Sequence, residues 1–257
     1  MKLKLSFPLL LLFALMLVSP WQTAAAGQKL RIATEGAYPP FNDIDDNGKI
    51  IGFDVDIAMA LCEAMNTECT IQAVAWDDLL PGLSTDQYDI IVASMARTVE
   101  REQYAIFTNY YYRSRSMFAA DPTKVFIQTP EGLKGYRLAA QVGTVQEDFL
   151  QNNFSKMSTI RAAKNTNECF TMLAQREVDA VLSDSLTIYE FLQTDVGKQF
   201  DFVGSPLPAD NPSSEACMAV RKDGKQLAER LNKALRDIRF NGIYDKINRK
   251  YFPFSIY

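Results

Sequence analysis

Apolar positions in this chain fall into short runs of strand length that alternate with stretches of helical spacing. Leu30–Ala33 is a strand-length run that breaks at once into Thr34, Glu35, Gly36, Ala37, Tyr38, Pro39 and Pro40. Phe53, Ile57, Ala60, Leu61 and Ala64 recur three and four apart, which predicts a helix with Asp54 as its N-cap. Thr70–Val74 predicts a strand, Asp77–Leu83 a short helix, and "YDIIVAS" at 88–94 a buried strand. That βαβαβ order implies a parallel sheet covered by helices. The pattern then restarts. "GYRLAAQVGTVQEDFL" at 135–150 reads as strand, tight turn and helix, 166–175 as helix, and "VDAVLSD" at 178–184 as a strand shaped like "YDIIVAS". Leu227, Leu231, Ala234, Leu235 and Ile238 share one face of a further helix that Gly242 stops, and "GIYDKINRKYF" follows as a short one.

Two α/β units in tandem predict two lobes. The chain would cross between them in "YYYRSRSM", near Arg113, and in "SPLPADNPSS", near Asp210. Residues 27–113 with 211–257 then form lobe one, and 114–210 form lobe two. Ligands in open α/β sheets bind beyond the carboxyl ends of the strands, so two facing edges make a cleft and two crossings make a hinge.

The N-terminus changes the expected compartment. "MKLK" is a positive start, Leu9–Val18 is an unbroken apolar run, and "TAAAG" offers a cleavage site after Ala26. Residues 1–26 therefore read as a signal peptide, with an uncleaved anchor as the alternative. No cysteine closely follows the apolar run, which argues against a lipid anchor, and the mature chain is expected to be soluble and exported. In an oxidising compartment Cys62 and Cys69 are candidates for a disulfide. A helix end folding back to a strand start would bring them within range, and closing so short a loop contributes roughly 2–3 kcal/mol. Two free buried thiols are the other reading. Cys169 and Cys217 fall in different predicted lobes and are expected to be unpaired. The cysteine spacing and the complete lack of histidine argue against zinc and against His-based catalysis. A formal net charge of −4 argues against a nucleic-acid partner.

The candidate chemistry gathers at predicted strand ends: Glu35 and Tyr38, then Trp76, then Ser94 and Arg101, then Thr144 and Gln146, then Asp184. One Arg, one Asp and a helix N-terminus at Gly143-Thr144 suit a zwitterion. The guanidinium forks onto a carboxylate, helix N–H groups support the same anion, and the acid takes an ammonium. Taken singly, each residue has a plain structural reading. Arg101 would be a surface charge, Asp184 a helix cap, Trp76 core, Tyr38 a turn residue and Gly143-Thr144 a simple turn.

Their order along the chain is more specific than any one of them. "LRIATEGAYPPFN", "IIGFDVDIAMALCEAMNTEC", "AWDDLLPGLSTDQYDIIVASMARTVERE", "VGTVQEDF", "REVDAVLSD" and "NGIYDKINRKYF" together resemble the polar amino-acid family of bacterial periplasmic solute-binding proteins, the receptors of ABC importers. The similarity is greatest to the lysine/arginine/ornithine, histidine and opine branch. It implies a type II periplasmic-binding-protein fold: two α/β lobes, each a sheet flanked by helices, joined by a two-strand hinge. It also implies a monomer without a cofactor that closes over an amino acid or opine and presents it to an inner-membrane ABC permease. By the same resemblance Arg101 clamps an α-carboxylate with the help of Thr144, and Asp184 holds the α-ammonium with Ser94. Met95 and Ala96 line the ligand beside Ser94. Tyr38 and Trp76 flank its side chain, Glu35 meets a distal cation, and Gln146 lines lobe two. Cys62–Cys69 matches a disulfide of that branch.

The run "ASMART" departs from the hydroxyl-rich pattern usual in that family. Ala93 and Ala96 remove two donors, Val145 is apolar, and Arg97 adds a positive charge that, if turned inward, would favour an opine. An enzyme resembling cyclohexadienyl dehydratase, with Glu35 or Asp184 moving a proton, and a sensory module are the competing functions.

Overall fold

The computed structural model of the protein describes residues 29–208 and 214–257. The expected signal peptide and the crossing near Asp210 lie outside the described residues. Two five-stranded sheets organise the rest. The first runs, in spatial order, β5 (Cys69–Ala73), β1 (Leu30–Thr34), β6 (Ile90–Ala96), β13 (Glu215–Arg221) and β7 (Ala105–Arg113). The second runs β10 (Thr159–Ala163), β9 (Arg137–Gln141), β11 (Ala180–Asp184), β8 (Ser116–Ala120) and β12 (Asp201–Val203). A small sheet of β2 (Ala37–Tyr38), β3 (Asn42–Ile44) and β4 (Ile50–Ile51) follows directly after β1.

Both main sheets are mixed, where the sequence reading expected parallel ones. β1 pairs in parallel with β5 and β6, but β13 runs antiparallel to both β6 and β7. In the second sheet β11 is parallel to β9 and antiparallel to β8. The cause lies in the crossings. β7 carries the chain out of the first sheet and β13 brings it back alongside, so these neighbours must oppose. The crossings touch where they pass: Ser114 N donates to Ser214 O at 3.2 Å, and Arg113 pairs with Glu215 at 2.7 Å.

Helices cover both faces of each sheet. Helix α1 (Phe53–Ala64), α6 (Lys225–Phe240) and α7 (Ile243–Tyr251) pack their apolar faces on one side of the first sheet around Phe41, Phe53, Ile57 and Leu235. Helix α2 (Trp76–Ser84) covers the other side with Leu79 and Leu83. Strand alternation sorts β6 between these layers. Ile90 and Val92 face α1, while Ile91, Ala93 and Met95 face α2. In the second lobe α3 (Val145–Phe154) lies on one face, with α4 (Thr166–Ala174) and α5 (Ser185–Gln193) on the other.

Two local expectations need correction or completion. Asp54 does not cap α1. The helix begins after Gly52, whose φ of +127° and 2.2 Å approach to Phe41 O, measured from an added Cβ, admit only glycine. Asp54 instead turns inward and is fully buried. The Cys62–Cys69 disulfide is formed and ties the end of α1 to the start of β5. Cys169 and Cys217 are free and buried.

Candidate functional site

The carboxyl ends of β1, β6, β9 and β11 converge on one cleft between the lobes. Lobe one supplies Glu35 just after β1, Tyr38 on β2, Trp76 at the start of α2, Ser94 and Ala96 on β6, and Arg101 beyond it. Lobe two supplies Thr144 and Gln146 at the start of α3 and Asp184 at the end of β11. Nine of the ten expected ligand residues therefore stand around one space. The exception is Met95, whose side chain packs with Leu79, Leu83 and Tyr88 beneath α2. It sits one residue out of phase with Ser94 on a period-two strand, so it must point to the opposite face.

Arg101 is 9% exposed and carries the only cation lining the cleft among the described residues. Its Nη1 donates to Ala96 O at 2.8 Å and its Nη2 to Gly143 O at 2.9 Å, across the lobes. Its guanidinium carbon lies 5.2 Å from the centre of the Trp76 ring. No described carboxylate forms an ion pair with it. Burial pulls its pKa down to about 10, against weak opposition from the charges of Asp148 and Glu100. A guanidinium has five N–H donors, so after two carbonyl contacts it still has donors for an anion. Trp76 adds its own bridge, Nε1 donating to the same Gly143 O at 3.1 Å.

Two acids share the cleft lining with this cation. Asp184 is 5% exposed and caps α5, as the plainer sequence reading held, through Leu186 N at 2.8 Å; it also accepts from Ser114 Oγ at 2.7 Å. Burial raises its pKa to about 6 despite these donors. Glu35 is 8% exposed and takes a 2.6 Å hydrogen bond from Gln141 Nε2 of the opposite lobe. Burial lifts its pKa to about 7, with Gln141 drawing it down and the charge of Asp77 pushing it up. Capping and ligand contact are compatible in Asp184, because a carboxylate has about four acceptor positions.

The hydroxyls are more committed than expected. Ser94 Oγ donates to Asp54 at 2.9 Å, and Thr144 Oγ1 donates to Gln141 O at 2.7 Å while accepting from Glu147 N to cap α3. Asp54 also accepts from Tyr111 Oη at 2.6 Å and Asn42 Nδ2 at 2.8 Å, and Asn42 Oδ1 accepts from Gly36 N at 2.8 Å. One buried carboxylate thus fixes both the Glu35-Gly36 turn and Ser94, which sits at a left-handed φ of +52°. Burial raises that carboxyl's pKa to about 6, opposed first by Tyr111. The Tyr38 ring stacks on Phe41, which stacks on Tyr112 at 4.5 Å, and the Tyr38 hydroxyl faces Ser183 and Thr187 of lobe two. Gln146 is held by Ser116 at 3.0 Å.

Arg97 stands outside the cleft, exposed, with Nε 3.7 Å from Glu102. Sequence reasoning missed Gln141, Tyr112, Thr166, Cys169 and Ser183 in the lining. Two of these carried a signal: Gln141 closes the strand before the Gly143-Thr144 turn, and Ser183 is adjacent to Asp184 at a strand end.

Two interlobe walls with one buried cation and two buried acids define a receptor for a small zwitterion. The family described as bacterial extracellular solute-binding proteins, family 3, matches residues 30–254, and the chain belongs to it. It is 34% identical over 260 residues to the histidine-binding periplasmic protein of Salmonella typhimurium, covering 100% of this chain and 98% of that one. It is 35% identical over 238 residues to an L-arginine-binding protein of Pseudomonas aeruginosa, covering 91% of this chain and 92% of the relative. Among solved structures, an ancestral arginine-binding protein bound to arginine superposes with a TM-score of 0.81 at 28% identity, covering 88% of this chain and 99% of that one.

Proposed function

We propose that the protein is a periplasmic receptor that closes over a cationic L-α-amino acid and delivers it to an ABC permease. The observation that carries this reading is the charge arrangement of the cleft: one buried guanidinium without an acidic partner, opposed by two buried carboxylates. The complement of that set is a molecule with one carboxylate and two cations. Arg101 takes the α-carboxylate, Asp184 the α-ammonium, and Glu35 the distal cation. Each charge-assisted contact contributes about 1.5–3 kcal/mol, enough in combination for micromolar binding or better. Trp76 and Tyr38 form the side walls. Arg97, outside the cleft, supplies no second cation for the extra carboxylate of an opine. The relatives' names support a histidine- or arginine-like ligand.

A thermal-shift screen over the standard L-amino acids and common opines tests the reading, because a ligand that binds only the native state raises the melting temperature. Arginine, lysine, ornithine or histidine should give the largest shifts, and the bound ligand should be recovered chemically unchanged. Shifts only with acidic amino acids, or conversion of the ligand during incubation, would count against it.

A further inference from the structure

We propose that Gln141 is the positioning residue that keeps Glu35 ionised for a ligand's distal cation, with Thr166 holding Gln141 in its donating orientation. This rests on the cationic amino-acid reading of the cleft. Gln141 ends β9 in lobe two and is 4% exposed, and its Nε2 reaches across the cleft to Glu35 Oε1 at 2.6 Å. A primary amide can present either end to a neighbour. Thr166, the first residue of α4 and equally buried, donates its Oγ1 hydrogen to Gln141 Oε1 at 2.9 Å. That contact occupies the amide oxygen and leaves the NH₂ group facing Glu35. The reversed amide would set its oxygen against a carboxylate oxygen.

The other charged and titratable groups around Glu35 do not help it ionise. Asp77 on α2 opposes ionisation by its own charge. Tyr38 on β2 and Cys169 on α4 are neutral groups whose own ionisation the charge of Glu35 resists. Gln141 is the one interaction that pulls the carboxyl downward against burial and Asp77, and the balance leaves it near 7. The relay spans the lobes, so it forms only as they approach. Closure therefore delivers the donor that charges Glu35 at the moment the ligand's cation needs a counter-ion.

A protonated Glu35 cannot pair with a cation, so affinity for a cationic ligand should fall as pH drops through this titration. Losing the Gln141 donor should move that fall to higher pH. The test is the pH profile of binding, from pH 5 to 8.5, for L-arginine and L-glutamine in the wild type, Gln141→Leu, Thr166→Val and Glu35→Gln. Wild-type affinity for L-arginine should fall about tenfold per pH unit on the acid side. In Gln141→Leu the midpoint should rise by about one pH unit, weakening L-arginine binding about fivefold at the wild-type midpoint, about tenfold well below it, and recovering toward pH 8.5. Thr166→Val should move it the same way by less. L-Glutamine, which also pairs with Asp184, should lose affinity only below about pH 6 and alike in the wild type and Gln141→Leu, and Glu35→Gln should leave L-arginine with that lower limb alone. Equal weakening of both ligands at every pH in Gln141→Leu, or an unmoved midpoint, would overturn the inference. Loss of the cation preference in Glu35→Gln reports on the cleft reading separately. A wild type with no preference for a cation would defeat that reading and this inference with it.

Discussion

Trp76 and Glu35 act on different parts of the binding reaction, and single substitutions separate them. The Trp76 indole is both a side wall and a cross-lobe contact through Nε1 and Gly143 O. Trp76→Phe keeps the aromatic face and removes a neutral hydrogen bond of about 1 kcal/mol, so ligand release should quicken about fivefold while association hardly changes. Stopped-flow dissociation reads this directly. Glu35→Gln removes a charge-assisted contact and should weaken cationic ligands about 10- to 100-fold at pH 8, with neutral amino acids little affected, as calorimetry would show. Arg101, Asp184 and Trp76 were legible in the sequence because each stands at a strand end within a recognisable run. Gln141 was not singled out, although it ends β9 just before the Gly143-Thr144 turn, because nothing local reveals a partner 106 residues away. Met95 was misplaced although the signal was present, since alternation puts it on the face opposite Ser94.

Elements hold the site through Asp54. The carboxylate on α1 ties β3, through Asn42, to β6, through Ser94, and to β7, through Tyr111. Tyr111 Oη both donates to Asp54 and accepts from Ser94 N at 2.9 Å, deep in the core. Tyr111→Phe therefore strands a buried carboxylate oxygen and a backbone N–H. It should cost about 2–3 kcal/mol in chemical denaturation and weaken ligand binding by letting the Glu35 turn and Ser94 shift. The helix carrying Asp54 was readable from its apolar spacing. Its cap was not, because an acid near a helix start usually serves the helix itself, and only tertiary contacts reveal that this one turns inward. The strands β1, β5, β6, β9 and β11 were readable as short apolar runs, whereas β7, β8, β10, β12 and β13 were not. The antiparallel sense of β13 was hidden, since it depends on how the chain returns between lobes.

At the scale of the whole molecule, the tandem α/β pattern was enough to predict two lobes, and the direction in which strand ends face each other predicted the cleft. The electrostatics of closure were not legible, because burial and interlobe partners set them. Glu35, Asp54 and Asp184 titrate near 7, 6 and 6 in the folded protein, above the ordinary carboxylate values of about 4. Between about pH 4 and 7 the closed folded state binds more protons than the unfolded chain, so its stability without ligand should fall as pH rises through that window. Asp179, held near 2 by Arg137, contributes in the opposite sense, gaining stability as pH rises, but its window lies below about pH 4. A cationic ligand that pairs with the ionised acids should reverse the trend, so the ligand-induced rise in melting temperature should grow from pH 5 to 7.5. Scanning fluorimetry with and without ligand reads both slopes, and a ligand shift that shrinks with rising pH would contradict the charge arrangement.

The grip on an amino acid's backbone is tested most directly by a calorimetric titration of the wild type and Arg101→Ala. The ligands are the amino acid with the largest thermal shift and the amine formed by its decarboxylation. The wild type should bind the amino acid at least about 100-fold more tightly than the amine, and Arg101→Ala, folded normally by circular dichroism, should lose that difference. Equal binding of the two ligands by the wild type, or an undiminished preference in Arg101→Ala, would contradict the account.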